Sequence, residues 1–193
     1  LLFDAIEKYQ ISATGITLSQ AQYDYVSRKI KERSLEKQFN LKLVDIFEFK
    51  PDVKFNKVVS VEMYEQLGIK NLSRFFQTIN HLMETGGSFL IQAIVSGEGQ
   101  APRLEGHQFM DKYIFLGGEV PSYKHLVQSI LEQRFEMLSS EQIDSHYFLT
   151  LKNWTNRMEN KEAECLKVVG ERIYRLWKLY IAGSAVAFKE HTM

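Results

Sequence analysis

The chain has 193 residues, 45% hydrophobic and 25% charged, which suits one large domain, or a domain with an insertion, around a substantial core. Lys+Arg and Asp+Glu both number 24, so no bulk field recruits nucleic acid. One cysteine, Cys165, excludes an intramolecular disulfide, and no apolar run is long enough to span a bilayer; the composition reads as a soluble, cytoplasmic protein.

Residues 1–9 carry Leu2, Ile6 and Tyr9 at helical spacing. Residues 13–17 read as a short strand, and Ser19-Gln20-Ala21-Gln22 matches a capping box that opens a helix through Tyr23, Val26 and Ile30. A second strand over 41–44 ends at Asp45-Ile46, and Pro51-Asp52 turns the chain into its central stretch. There Val58, Val59 and Val61 form a β-branched run of the kind buried on both faces in a parallel sheet. It breaks at once into Glu62-Met63-Tyr64-Glu65, and the carboxyl end of such a strand is where open α/β sheets bind ligands. Leu72, Phe75, Phe76, Ile79 and Leu82 predict a helix that Gly86-Gly87 ends. Residues 88–95 predict a strand and 96–106 a Gly-rich loop. Ser122 caps a helix with Leu126, Val127, Ile130 and Leu131 inward. Residues 137–148 read as strand and loop, and two helices follow around 154–167 and 173–188. Strands alternating with helices imply βαβ units and a mostly parallel sheet, an α/β fold.

The residues themselves leave several roles open. Glu65 is either an exposed carboxylate at a helix start or a strand-end carboxylate that stabilises a cation. Gln22 either completes the capping box or stands with Thr17 where nucleotide-binding sheets place a ribose; the usual acceptor there is Asp or Glu. Gly97-Glu98-Gly99-Gln100 lacks the third glycine and the helix start of a phosphate loop. His81, His107, His125, His146 and His191 show no metal-ligand spacing, and Cys165 carries no thiolate-activating signature. Tyr174, Trp177, Tyr180 and Phe188 are either core residues or the wall of an apolar tunnel.

Three segments in order carry a family likeness: Gly15-Ile16-Thr17-Leu18-Ser19-Gln20-Ala21-Gln22, then Val59-Ser60-Val61-Glu62-Met63-Tyr64-Glu65-Gln66-Leu67-Gly68, then Lys112-Tyr113-Ile114-Phe115-Leu116-Gly117-Gly118-Glu119-Val120-Pro121-Ser122. With them the chain resembles the cyclopropane-fatty-acyl-phospholipid synthases and mycolic acid cyclopropane synthases. His146-Tyr147, Thr150-Leu151 and Trp154, and residues 180–188, extend the likeness almost to the last residue. The resemblance implies a single Rossmann-like methyltransferase domain over 1–193, flanked by helices, with a loop and substrate-cover insertion at 96–122. It implies methyl transfer from S-adenosylmethionine to the double bond of an unsaturated phospholipid acyl chain, giving a cyclopropane or methylated fatty acid.

By the same resemblance, Thr17, Leu18 and Gln22 are expected at the cofactor's ribose and Asp45 and Ile46 at its adenine. Glu65, Gln92, Ile94 and Tyr147 are expected to hold a bicarbonate ion that serves as general base. Tyr180, Ser184 and Phe188 are expected to line the acyl tunnel. The implied partners are acyl chains at the inner membrane face, met peripherally, and a second copy in a homodimer. Two positions depart from the family pattern: Gln66 and Gln92 stand where the family often has His, and glutamine neither becomes cationic nor relays a proton. The resemblance also implies a first strand and Gly-rich loop before Leu1, and a final strand after Phe188, so a fragment cut at both ends and inactive alone is expected. The alternatives are an amine N-methyltransferase of the same family and a non-catalytic module that has lost cofactor binding.

Overall fold

A computed structural model describes residues 1–96, 109–110, 112–115 and 120–190. The chain divides into two units, Leu1–Phe55 and Asn56–Met193.

The first unit runs α1 (Leu2–Tyr9), β1 (Ala13–Thr17), α2 (Gln20–Glu32) and β2 (Phe39–Leu43). The α1 helix stops at Gln10, a left-handed residue (φ 56°) whose N–H donates to the Ile6 carbonyl. The two strands pair in parallel, Ala13 opposite Phe39 and Thr17 opposite Leu43, with α2 as the connection. Ile6, Ile30, Leu35 and Phe39 form the core beneath them. Because the strands are parallel, their carboxyl ends share one edge. The Val44 N–H donates to the Thr17 carbonyl at 3.0 Å, so Asp45 and Ile46 follow beside Thr17.

The second unit continues through β3 (Phe55–Val61), two 3-10 turns (Tyr64–Gln66 and Ile69–Asn71), α3 (Leu72–Leu82) and β4 (Met83–Gln92). It then adds α4 (Tyr123–Glu132), α5 (Asp144–Asn160) and α6 (Glu162–Lys189). Among the described residues the strands make two two-stranded sheets, β1 with β2 and β3 with β4. Lys57 reaches Ser88 and the Glu62 N–H donates to the Gln92 carbonyl, so β3 and β4 advance together and are parallel. The apolar face of α3 sits at the centre of an aromatic core. Tyr64, Phe75 and Phe76 are fully buried there, and with Phe89 and Phe135 their ring centroids lie 5.2 to 6.3 Å apart, within the range that favours aromatic pairs. A second cluster joins α5 and α6 around Leu151, Ile181 and Phe188.

Four expectations need correction. The β3 strand is not buried on both faces: Val59 and Val61 are 45% and 48% exposed while Ser60 between them is buried, the alternation of a strand with one covered face. Gly86 and Gly87 do not end α3, which stops at Leu82; both lie inside β4. Gly87 serves a close approach instead, since a Cβ there would come within 3.0 Å of the Glu84 carbonyl and 3.1 Å of the Asn56 carbonyl. Leu131 is 57% exposed, because it lies one residue past Ile130 and off the stripe that α4 turns inward. Residues 137–148 hold no strand: α5 already begins at Asp144, an acidic first-turn residue that suits a helix start. The two last helices are also longer than expected, meeting at Lys161, and Gly170 (φ 75°, ψ 164°) interrupts α6.

Of the expected insertion at 96–122, residues 97–108, 111 and 116–119 lie outside the described residues, and with them the Gly97-Glu98-Gly99-Gln100 run. Its two ends are tied together, with the Ser96 N–H donating to the Pro121 carbonyl and the Tyr123 N–H to the Ser96 carbonyl, both at 3.0 Å.

Candidate active site

In the first unit, the residues expected at a nucleoside gather at the shared strand edge. Ser19 caps α2 by accepting from the Gln22 N–H at 3.3 Å, as the capping box requires. The other half of that box is not made. The Ser19 N–H goes to Thr17 Oγ1 at 3.1 Å, and the Thr17 hydroxyl donates to Gln22 Oε1 at 2.7 Å. Gln22 therefore serves the cap with its backbone N–H and keeps its side chain for Thr17 rather than for the Ser19 N–H. The amide nitrogen of Gln22 remains a donor for a hydroxyl. Leu18 is 71% exposed, Ile46 is buried, and Asp45 Oδ1 accepts from the Phe47 N–H at 2.8 Å, which fixes the carboxylate at the end of β2. Thr17 and Gln22 also border an open groove of about 430 Å³ with Gly15, Tyr25 and Leu41. A hydroxyl–amide pair, a positioned carboxylate and an apolar neighbour fit the ribose and adenine of S-adenosylmethionine.

In the second unit, the strand ends carry the remaining set. The 3-10 turn after β3 brings Glu65 back under the end of β4, where its Oε1 accepts from the Ile94 N–H. Glu65 is 7% exposed, and among the described residues its Oε2 has no hydrogen-bond partner. Burial pushes its carboxyl above the usual range, against the Ile94 N–H, and the charge of Glu62 adds to the rise. Ile94 packs on the Leu151–Ile181–Phe188 cluster, as do Tyr147 and Tyr180. Tyr147 stacks on Phe188 with centroids 4.8 Å apart, and Tyr180 meets both Phe115 and Trp177 edge to face. Burial raises the Tyr180 phenol, with Ser184 hydrogen-bonding against that rise. Thus Ile94 links the buried Glu65 carboxyl to Tyr147, Tyr180 and Phe188, with Ser184 on the Tyr180 phenol, residues distant in sequence. Gln92 joins them at the strand end.

Sequence reading missed Glu62. It sits at φ 50°, its N–H donates to the Gln92 carbonyl at 2.9 Å, and its Oε1 accepts from the Gln92 side-chain amide at 3.4 Å. Its charge also acts on Glu65 and Tyr180. The available signal was an acidic residue at the end of an apolar strand, three positions before Glu65. Phe115 was missed as a ring partner of Tyr180, while Trp177, its other partner, was among the aromatics expected in a core or tunnel wall.

The expected bicarbonate would find one open acceptor here, the buried second oxygen of Glu65, which among the described residues has no hydrogen-bond partner. Of its expected donors, the Ile94 N–H already serves Glu65, and the Gln92 amide gives one of its two N–H groups to Glu62. Among the described residues no cationic side chain acts on Glu62 or Glu65 to offset the repulsion a second anion would meet.

This architecture is that of the methyltransferase fold. The cyclopropane synthase MmaA2 from Mycobacterium tuberculosis superposes with a TM-score of 0.93 at 21% identity, over 99% of this chain and 70% of that one. The mycolic acid cyclopropane synthase CmaA1 complexed with SAH and CTAB gives 0.91 at 21% identity, over the same shares. The family model for mycolic acid cyclopropane synthetase matches residues 1–193, and the chain belongs to that family. A probable fatty acid methyltransferase of Pseudomonas putida is 31% identical over 188 residues, 96% of this chain and 48% of the relative. A sphingolipid C9-methyltransferase of Candida albicans is 29% identical over 195 residues, 97% of this chain and 38% of the relative. The chain spans about half the length of the first of these and less of the second.

Proposed function

We propose that the protein transfers a methyl group from S-adenosylmethionine to the double bond of an unsaturated lipid acyl chain, giving a cyclopropane or methyl-branched product. The observation that carries this reading is Glu65: a buried carboxyl, unpartnered at one oxygen among the described residues and held at the other by the N–H of Ile94, which packs on the cluster that holds Tyr147 and Phe188. S-adenosylmethionine supplies, when bound, an electrophilic methyl group. Thr17 and Gln22 would hold its ribose hydroxyls, Asp45 would accept from its adenine amine, and Ile46 and Leu18 would cover the ring. Addition of a methyl group to an alkene leaves a carbon cation on the acyl chain. The electron-rich faces of Tyr147, Tyr180 and Phe188 stabilise such a cation, and the carboxyl of Glu65 opposes its charge. The same rings exclude the water that would quench it.

The fatty acid and sphingolipid methyltransferases among the relatives support a lipid acceptor. The acyl chain would be met at the bilayer surface; among the described residues no helix is long and apolar enough to cross a membrane. The test is transfer of radiolabelled methyl to vesicles of monounsaturated phosphatidylethanolamine, with unsaturated glucosylceramide vesicles and a small primary amine as parallel acceptors. Label in the fatty acyl fraction supports the reading. Label only in the sphingoid base or only in the amine overturns the acyl-chain assignment, and label in none overturns methyl transfer. In the same preparation, Thr17→Val is expected to weaken S-adenosylmethionine binding about tenfold by calorimetry, the loss of about one hydrogen bond at the ribose and of the hold on Gln22.

A further inference from the structure

We propose that the bend in α6 at Gly170 is the surface by which this protein docks on an anionic lipid bilayer. The inference deepens the acyl-chain reading above and takes its choice of partner from it. At Gly170 the backbone leaves the helical region (φ 75°, ψ 164°), a conformation that side-chain-bearing residues rarely adopt. A Cβ there would meet nothing within 4 Å, so no neighbouring element packs on that side of the bend. Every residue from 167 to 173 is exposed, and three of them are apolar: Val168 at 82%, Val169 at 41% and Ile173 at 45%. Apolar side chains scattered singly over a surface need no explanation, but these share one protruding turn, with Trp177 (42% exposed) one helical turn beyond Ile173.

Behind the bend, its two arms and the end of α5 border an open groove of about 430 Å³, walled by Met158, Cys165, Val168, Val169 and Trp177. Tyr174 also lines this groove, and its buried hydroxyl has no hydrogen-bond partner among the described residues. A buried donor left unpaired is costly, and the ester or phosphate oxygen of a lipid is an acceptor that would satisfy it. Charge selects the partner. Glu159, Glu164 and Glu171 are each held by a cation of the same helix pair, Lys178, Lys161 and Arg175. Among the described residues, Lys167 and Arg172 make no ion pair, and they bracket the apolar turn. The remaining acid of this stretch, Glu162, lies more than a helical turn before Lys167. An apolar turn between two free cations suits an anionic interface. The valines enter the acyl boundary, the cations stay with the phosphates, and the indole sits at headgroup level. Trp177 also meets Tyr180 edge to face at 5.4 Å, so a bilayer held at the bend stands beside the aromatic wall where the acyl chain would react.

The experiment measures vesicle binding by flotation, with full-length protein and no methyl donor. Vesicles of phosphatidylcholine with phosphatidylglycerol are expected to bind more protein than phosphatidylcholine alone, and the difference should shrink as salt rises. Val168→Asp together with Val169→Asp is expected to weaken binding at least about tenfold, by losing apolar contact and adding like charge. Lys167→Glu together with Arg172→Glu should weaken it by about the same factor on the anionic vesicles only. All four positions are exposed, so an unchanged Tm is expected of both double variants. The chain has two tryptophans, and Trp154→Phe leaves Trp177 as the single indole. Vesicles with brominated acyl chains should quench its fluorescence. Bound protein whose Trp177 is not quenched overturns the proposal, as does a native protein that binds no vesicle, or anionic binding that both double variants keep in full. A dimer in solution that the aspartate pair breaks also overturns it, in favour of a second copy on this turn. The quench is read without either double variant, so their failure to fold leaves the outcome decided. Methyl transfer to detergent-dispersed acyl lipid is scored apart: transfer there without docking at the bend rejects the docking surface alone, and docking without transfer to any acceptor rejects the methyl-transfer reading alone.

Discussion

Glu65→Gln is expected to lower kcat for acyl methylation about 1000-fold, about 4 kcal/mol of transition-state stabilisation, while the dissociation constant for S-adenosylmethionine stays within about twofold. Glutamine keeps the oxygen that accepts from the Ile94 N–H and removes only the charge. The same variant carries a second signature. The folded carboxyl lies above its ordinary value of 4.5 because burial disfavours its charge. The folded state therefore binds the proton more tightly than the unfolded state, so this group's contribution to stability is full below about pH 4.5 and declines as pH rises through the folded value. Native protein should lose stability on that account over this window, and Glu65→Gln should not. Thermal melts of the two from pH 4 upward should diverge, with the variant higher at neutral pH. A variant that loses both turnover and stability at pH 7 would make Glu65 a structural residue.

The largest effect on stability is expected at Phe76. Its ring is fully buried and contacts those of Tyr64, Phe75, Phe89 and Phe135, which bring together the turn after β3, α3, β4 and the segment after α4. Phe76→Ala removes all four contacts and leaves a cavity, at a cost of about 3–5 kcal/mol. For a chain of this length that is a fall in Tm of roughly 10 °C. Val168→Ala, at a side chain 82% exposed, is expected to change stability by less than about 0.5 kcal/mol. Calorimetric melts of the two variants decide it: equal shifts would mean that the aromatic cluster does not hold the second unit together. Because Tyr64 immediately precedes Glu65, loosening this cluster should also lower activity through the position of the carboxyl.

The elements that periodicity specifies strongly appear where they were expected. The α3 stripe of Leu72, Phe75, Phe76, Ile79 and Leu82 is buried at all five positions, and Ser19 and Ser122 both cap the helices they precede. Glycine misled at Gly86-Gly87, because the same residue type serves a helix end and a close strand contact. Burial misled at Val59 and Val61, because β-branched residues suit a strand whether one face or both are covered. At the candidate site, the motif positions were legible one by one, and Thr17 with Gln22 proved a bonded pair.

By itself the sequence determined the βαβ order of the first unit, the end of β3 at Val61 and the residues that carry the family likeness, because these depend on local spacing and on which side chains stand at which step. Only the tertiary structure decided that Ile94 would spend its N–H on Glu65, that Gln92 would bind Glu62, and that Tyr147 would stack on Phe188 across α5 and α6. Those are contacts between residues about 30 to 40 positions apart. They are set by how parallel strands and paired helices bring distant ends together, and no local pattern encodes that.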